Sequence, residues 1–147
     1  MVSIPDSAVF INVASPETGI FNAELSAKNL FKIANVDEKT PNEICNRFKE
    51  GEEYKCFFLE VIFTSLQGPI LLIASQYDSE AIPGLLNIDC LTDGTTGKTL
   101  KNCNANQMAN IEEYRKVFLR FMENFLHFSK NNVWTIACSQ HVYAVWG

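Results

Sequence analysis

The sequence lacks the features that mark several large classes of protein. It has no basic excess, since 17 acidic residues outnumber 12 Lys and Arg and leave a net charge of −5. Nucleic-acid binding selects basic surfaces, so we expect no nucleic-acid partner. No apolar run approaches the roughly 18 residues that a membrane helix needs. The first ten residues have no basic start followed by an apolar stretch. We therefore expect no membrane span, and no signal peptide in this chain.

Metal-binding patterns are missing as well. The chain has two His and five Cys, and no two cysteines form a Cys-x-x-Cys pair, so we expect no metal and no cofactor. The cysteines leave two interpretations open: buried thiols of a cytosolic protein, or disulfides of a secreted protein in which one cysteine lacks a partner. In the second interpretation, one disulfide would join Cys45 to Cys56 and another would join Cys90 to Cys103, and each would close a short loop.

What the chain does contain is the composition of one globular domain. Its 147 residues are 47% hydrophobic and 20% charged, and 11 of them are Phe. This size fits a single domain spanning residues 1–147. The heavy aromatic content predicts a substantial core.

The first half of the chain carries weak secondary-structure signals. Ala8–Val13 is typical of a short extended segment, and Asn22–Ala34 predicts a helix of moderate strength. Thr40 and Pro41 suit the start of a short helix that stops near Gly51, because Thr caps and Pro fits the first helical position. Tyr54–Leu66 is apolar and fits either a strand or a helix, and we favour a helix.

The second half predicts a β-α-β unit. Ile70–Ser75 is a short, continuously apolar run, as expected of a buried parallel strand. Asp89–Asn106 is typical of a loop, and Val133–Ala137 of a second buried strand. Between them, apolar residues recur every three or four positions, as in an amphipathic helix: Ile111, Tyr114, Phe118, Phe121, Phe125 and Phe128. Charged residues, Arg115 among them, occupy the opposite face. Two such strands with a helical crossover predict a parallel sheet with a right-handed connection.

Chemically useful side chains follow both predicted strands. Asp78 lies three residues beyond Ser75, and His141 lies four residues beyond Ala137. Functional groups in open α/β sheets collect beyond the carboxyl ends of the strands, and neighbouring strands lie about 4.8 Å apart. We therefore expect a hydrogen bond between Asp78 and His141. The Asp would fix the tautomer of the imidazole, and the His would act as a general base toward a serine. From spacing alone, a structural Asp–His pair is the commoner outcome.

Several segments resemble one family of esterases. The string Cys45–Phe58 is similar to the Notum carboxylesterases, and Thr64–Asp78 resembles the strand before the acid in the same family. Plant pectin acetylesterases have a Tyr-Asp-Ser similar to residues 77–79. Ala137–His141 resembles the Cys-x-x-His of the family, and Asp6–Ile11 its Asp-Ser/Ala-Gly-x-Phe segment, with Ala8 in place of Gly. The resemblance to the pectin acetylesterase/Notum family thus covers nearly the whole chain in the family's order.

The resemblance implies a fold, an activity and two catalytic residues. The expected fold is the C-terminal part of an α/β-hydrolase, with parallel strands and crossover helices and a triad in the order Ser, acid, His. Asp78 would be the triad acid and His141 the triad base. The substrates would be O-acylated polysaccharide or acylated protein, and the location would be extracellular.

The sequence departs from the family at the nucleophile. No Gly-x-Ser-x-Gly elbow and no Gly-rich oxyanion segment occur among the 147 residues. The serines nearest to family motifs, Ser7, Ser75, Ser79 and Ser139, do not stand in such an elbow. We therefore expect a fragment, a truncated gene model or a chain that pairs with another piece, and no ester hydrolysis by this polypeptide alone. The alternative is a non-catalytic α/β binding or structural module.

Overall fold

The structure is a computed structural model that describes residues 4–7, 9–34, 47–62, 68–94, 97–127 and 131–141. These ranges contain both helices and strands, as expected of a mixed α/β protein. In chain order the elements are α1 (Asn22–Ile33), a 3₁₀ helix (Glu53–Phe57), α2 (Leu59–Ile62), β1 (Ile70–Ser75), α3 (Ala81–Leu86), β2 (Thr92–Gly94), β3 (Gly97–Thr99), α4 (Ala105–Leu126) and β4 (Asn131–Ile136).

The predicted parallel sheet is present. Strands β1 and β4 pair in parallel, from Ile70 opposite Asn131 to Ser75 opposite Ile136. The N-terminal segment adds a parallel bridge between Asp6 and Ile73. There the Ser7 N–H donates to the Ile73 carbonyl at 2.9 Å, and the Ile73 N–H donates to the Pro5 carbonyl at 3.0 Å. Strand β1 therefore lies between β4 and the N-terminal segment. Its side chains are buried or half-buried on both faces, which explains its continuous apolar sequence.

Strand β4 differs from the prediction of a second buried strand over Val133–Ala137. It begins at Asn131 and ends at Ile136. The strand includes the two asparagines because strand pairing uses the backbone, and β1 pairs with Asn131 and Asn132 regardless of their polar side chains. Its side chains alternate between more and less exposed positions, and Trp134 is 49% exposed. The strand is thus half-buried, although the segment predicted from the sequence, Val133–Ala137, is mostly apolar.

The long helix α4 supplies much of the core. Asn104 caps its first turn: the Gln107 N–H donates to Asn104 Oδ1, and the Asn104 N–H donates to Gln107 Oε1, both at 3.0 Å. This reciprocal pair is a capping box. One face of the helix is buried, as the spacing predicts, and its buried residues are Ile111, Tyr114, Phe118, Met122 and Phe125. Phe128, at the end of the predicted stripe, lies outside the described residues.

One stretch differs from its prediction, and one helix lies where the sequence analysis predicted no element. The stretch Asp89–Asn106, predicted as a loop, contains the antiparallel hairpin of β2 and β3 and also the start of α4. Helix α3 contains Pro83 and Gly84, which usually break helices. The proline is accommodated because it lies in the first turn, where its missing N–H is not needed. The helix ends at Asn87, whose φ of 57° is left-handed, a conformation that Asn tolerates better than most residues.

The first half of the chain partly follows its predictions. Helix α1 coincides with the predicted helix. The apolar stretch from Tyr54 begins with the 3₁₀ helix and α2. The predicted helix start at Thr40 and Pro41 lies outside the described residues. No helix of the described ranges is long and apolar enough to cross a membrane.

Candidate active site at the carboxyl edge of the sheet

The turn after β1 stays attached to the segment after β4. The Gln76 N–H donates to the Ile136 carbonyl at 2.9 Å, and the Tyr77 N–H donates to the Cys138 carbonyl at 3.2 Å. The two chain segments therefore leave the sheet side by side. This pairing brings Asp78, the next residue, toward the segment that carries His141.

The Asp78 carboxylate is buried and held by backbone groups. The residue is 8% exposed, and its Oδ1 accepts hydrogen bonds from the N–H of Glu80 at 2.8 Å and of Ala81 at 3.0 Å. Hydrogen bonds from N–H groups to a charged acceptor are stronger than neutral ones. Burial of this charge is thus compensated by the polypeptide itself.

His141 contacts this carboxylate directly. Its Nδ1 lies 2.8 Å from Asp78 Oδ2 and 3.0 Å from Oδ1. The side chains of His141 and Asp78 are 28% and 12% exposed, so the contact is shielded while the imidazole keeps some access to solvent. A carboxylate accepts only, so the neutral imidazole carries its proton on Nδ1 and its lone pair on Nε2. The hydrogen bond predicted from the two strand ends is therefore present.

The segment that carries His141 is braced from two sides. The hydroxyl of Ser75, at the end of β1, donates to the Cys138 carbonyl. The hydroxyl of Ser139 donates to the Lys98 carbonyl of strand β3. The backbone before His141 is thereby tied both to the sheet and to the hairpin, which fixes the approach of the imidazole to Asp78.

The phenol of Tyr114 is affected both by its burial and by the negative charge of Asp78. Tyr114, on the buried face of α4, is 5% exposed. Burial raises the pKa of its phenol above the ordinary value, and the charge of Asp78 raises it further. Both effects disfavour the phenolate, so Tyr114 stays neutral beside the carboxylate.

A cleft opens between the hairpin and the segment after β4, and Tyr77, the residue before Asp78, lines it, whereas Asp78 and His141 do not. Its volume is about 610 Å³, within the usual range for small-molecule sites. An ion pair joins Lys98 Nζ to Asp93 Oδ1 across the hairpin at 2.8 Å; the pairing raises the pKa of the Lys98 ammonium and lowers the pKa of the Asp93 carboxyl. Most of the lining is polar: Tyr77, Thr92, Asp93, Gly94, Lys98, Thr99, Leu100, Lys101, Asn102, Ala137, Cys138 and Ser139.

The relationship of the chain to known proteins agrees with this arrangement. A model of the pectinacetylesterase family matches residues 1–146. The chain belongs to the pectinacetylesterase family. A search of curated proteins found no match. The family implies an esterase of the pectin acetylesterase type and acylated carbohydrate substrates, which the resemblance of the sequence had indicated.

Three of the four serines near the family motifs donate hydrogen bonds to groups other than His141. The hydroxyls of Ser75 and Ser139 donate to the carbonyls of Cys138 and Lys98, and the Ser7 hydroxyl donates to Asp6 Oδ1 at 3.0 Å. Within the described ranges, no hydrogen bond joins a serine hydroxyl to His141. Among the described residues, the imidazole of His141 is therefore hydrogen-bonded to the Asp78 carboxylate and not to a serine.

The cysteines decide between the two interpretations of the sequence. Cys90 and Cys103 form a disulfide that spans the hairpin, and Cys56 is also disulfide-bonded. Cys45, the partner predicted for Cys56, lies outside the described residues. Cys138 retains its thiol, 3.9 Å from the Ser75 hydroxyl. The interpretation of five thiols is therefore wrong.

The described residues contain no group of three or more His, Cys, Asp or Glu side chains that could hold a metal ion.

One contact near the site is not evident from the sequence pattern. Arg115 is predicted on the solvent face of the long helix, yet its Nε donates to Gln76 Oε1 at 2.7 Å. Glu112 lies three residues before Arg115 on the same helix face, a spacing that indicates a shared contact. That spacing does not indicate which other element covers the two side chains.

Proposed function

We propose that this chain is the acid-and-base part of a serine carboxylic ester hydrolase, in which Asp78 is the triad acid and His141 the general base. Its substrates are O-acyl groups on carbohydrate. Residues 1–147 then form the C-terminal part of an α/β-hydrolase domain, and the nucleophilic serine belongs to polypeptide outside these residues. The observation that carries the proposal is the contact of 2.8 Å between His141 Nδ1 and the buried Asp78 carboxylate.

The geometry suits the two functions of such a pair. Asp78 holds the proton of the imidazole on Nδ1 and stabilises the imidazolium that forms during catalysis, while its own position is set by the N–H groups of Glu80 and Ala81. The Nε2 lone pair is then the base that takes the proton from a serine hydroxyl. A solvated Asp–His pair would perform neither function well, because an exposed ion pair contributes little.

In the proposed reaction, the serine oxygen bonds to the ester carbonyl carbon while its proton passes to His141 Nε2. The imidazolium gives this proton to the departing sugar oxygen as the ester C–O bond breaks, which leaves an acyl-serine. Water then attacks the acyl carbon and loses a proton to His141, and the serine oxygen departs with that proton. Asp78 stays ionised throughout.

The cleft between the hairpin and the segment after β4 favours a carbohydrate substrate. Carbohydrates present many hydroxyl groups, and the cleft lining offers donors and acceptors of several kinds, including Asp93, Lys98 and Asn102, with the ring of Tyr77 at one side. The disulfide of the hairpin fits the extracellular location typical of the family.

Binding to the cleft can be tested separately from catalysis. We expect acetylated oligosaccharides to shift the amide NMR resonances of residues 92–102 and 137–139. The groove between α1 and the 3₁₀ helix, lined by Phe10, Leu30 and Phe57 among others, serves as the internal control and should not respond. Shifts confined to that groove would contradict the assignment of the cleft.

A first catalytic test uses the 147-residue chain itself. We expect the purified protein to hydrolyse p-nitrophenyl acetate no faster than buffer, because its sequence has neither a nucleophile elbow nor a Gly-rich oxyanion segment. Turnover above the blank that disappears in His141→Ala would show that the chain is active alone.

A second test asks where the serine comes from. The transcript should encode a Gly-x-Ser-x-Gly run in frame before Met1, and the longer product should deacetylate polysaccharide. In that product, Asp78→Asn should lower kcat by about 10⁴-fold, and His141→Ala should lower it by about 10⁶-fold. Full activity in either variant would overturn the roles given to these residues. A transcript that starts at Met1 would favour the non-catalytic module instead.

A further inference from the structure

We propose that Arg115 is a positioning residue for Asp78: it fastens the turn that carries the acid to the long helix. The inference rests on the proposed function of Asp78 and His141, and it adds a residue that acts on them through the turn. It follows from the side-chain contacts of Gln76 and Tyr77, the two residues that immediately precede Asp78.

Arg115 contacts both of these residues at once. Its Nε donates to Gln76 Oε1 at 2.7 Å, and its guanidinium carbon lies 5.7 Å from the centre of the Tyr77 ring. The side chain is only 30% exposed and pairs with Glu112 through Nη1 at 3.5 Å. The planar guanidinium can bond in its plane to Gln76 and stack on Tyr77, which a lysine ammonium cannot reproduce.

The side chains of Gln76 and Tyr77 each make a further hydrogen bond, Gln76 to the sheet and Tyr77 to helix α4. Gln76 Nε2 donates to Thr135 Oγ1 of β4 at 3.2 Å, so the amide bridges helix α4 and the sheet. The Tyr77 hydroxyl donates to Glu112 Oε1 at 2.6 Å. This hydrogen bond is the main reason that the pKa of Tyr77 is raised, and burial adds to the effect. The carboxylate of Glu112 therefore binds both Tyr77 and Arg115.

These contacts bear on Asp78 because the turn is short. The backbone of Gln76 and Tyr77 is fixed to the segment after β4, and their side chains are fixed to α4, whose Phe118 and Phe125 are almost fully buried. The direction in which the chain enters Asp78 is thus set by a rigid helix. Displacement of a catalytic group by about 1 Å can cost on the order of 100-fold in rate, so the orientation of this turn matters.

The test reads the Asp78–His141 contact directly by proton NMR of the full chain. A hydrogen-bonded Nδ1–H of His141 gives a downfield resonance that slow solvent exchange keeps visible. We expect this resonance in the unmodified protein and its loss or upfield movement in Arg115→Lys, which keeps the charge and removes the planar donor. Gln76→Leu should have the same effect, since it breaks the bridge while it keeps the approximate volume of the side chain.

The matched control is Lys116→Ala. Lys116 is the next residue on the same helix, is 59% exposed and pairs with Glu113, so its removal should leave the resonance unchanged. Circular dichroism and amide spectra establish that each variant is folded, and Gln76→Leu decides the matter if Arg115→Lys does not fold.

Two negative results have different meanings. If the resonance is absent from the unmodified protein, the proposed function fails. If it is present there and persists unchanged in folded Arg115→Lys or Gln76→Leu, the proposed function stands and the positioning role of Arg115 is overturned. Loss of the resonance in Lys116→Ala as well would also overturn that role, because any change on the surface of α4 would then have the same effect.

Discussion

The disulfide between Cys90 and Cys103 should contribute measurably to stability through the unfolded state. The two cysteines are 13 residues apart in sequence. In the chain-entropy model, closure of a loop of about this size removes roughly 10 cal/mol/K from the unfolded chain, or about 3 kcal/mol at 25 °C. The double variant Cys90→Ala/Cys103→Ala should therefore unfold about 6 to 12 °C lower than the parent.

The assay is differential scanning calorimetry without reductant, so that the disulfide of Cys56 stays intact. A second expectation follows from the hairpin. Because the Ser139 hydroxyl donates to the Lys98 carbonyl, amide exchange should accelerate in the hairpin and in residues 137–141 of the double variant. Equal midpoints, within about 1 °C, would refute the entropic reasoning.

Two further predictions concern the core. Phe118 is 1% exposed, so Phe118→Ala should destabilise the protein by about 3 to 5 kcal/mol in urea unfolding; a loss near zero would show that α4 does not pack as described. Tyr114 has a raised pKa, so its contribution to stability is complete below the phenol's unfolded pKa of about 10 and is lost as the pH rises above it. As the pH rises from about 9 to about 11, the free energy of unfolding should therefore fall less in Tyr114→Phe than in the parent. Equal losses in the two proteins would contradict the burial argument.

Strand β1, its parallel pairing with β4, and the contact between Asp78 and His141 could be predicted from the sequence. Ile70–Ser75 is identified by its continuous apolar run, since the side chains on both faces of β1 are buried or half-buried. The amphipathic period of α4 identifies its buried face. A parallel pair of strands brings the residues that follow both strands to one edge, and this topological rule predicts the carboxylate beside the imidazole.

The hairpin and helix α3 could not be predicted, for physical reasons. Strands β2 and β3 have three residues each, rich in Thr, Gly and charge, and show no apolar alternation. They lie within a loop that a disulfide closes, so their structure depends on a contact distant in sequence. Helix α3 runs through Pro83 and Gly84, where local propensity opposes a helix and burial of Ile82, Leu85 and Leu86 overrides it.

Arg115 shows a different limit of prediction from the sequence. Its place on the polar face of α4 follows from the sequence, but a polar face indicates solvent unless another element is known to cover it. The turn at Gln76 and Tyr77 covers this part of the helix. Only the three-dimensional arrangement makes the arginine a neighbour of the acid-bearing turn.

The most direct test of the central claim is the tautomer of the neutral His141 imidazole, measured by ¹⁵N NMR in the parent and in Asp78→Asn. With the carboxylate as acceptor, the parent should carry its proton on Nδ1 and leave Nε2 unprotonated. In Asp78→Asn, the substituted amide can donate to Nδ1 and the charged acceptor is lost, so the population should shift toward the Nε2–H tautomer. The same tautomer in both proteins would contradict the assignment of Asp78 and His141 as acid and base.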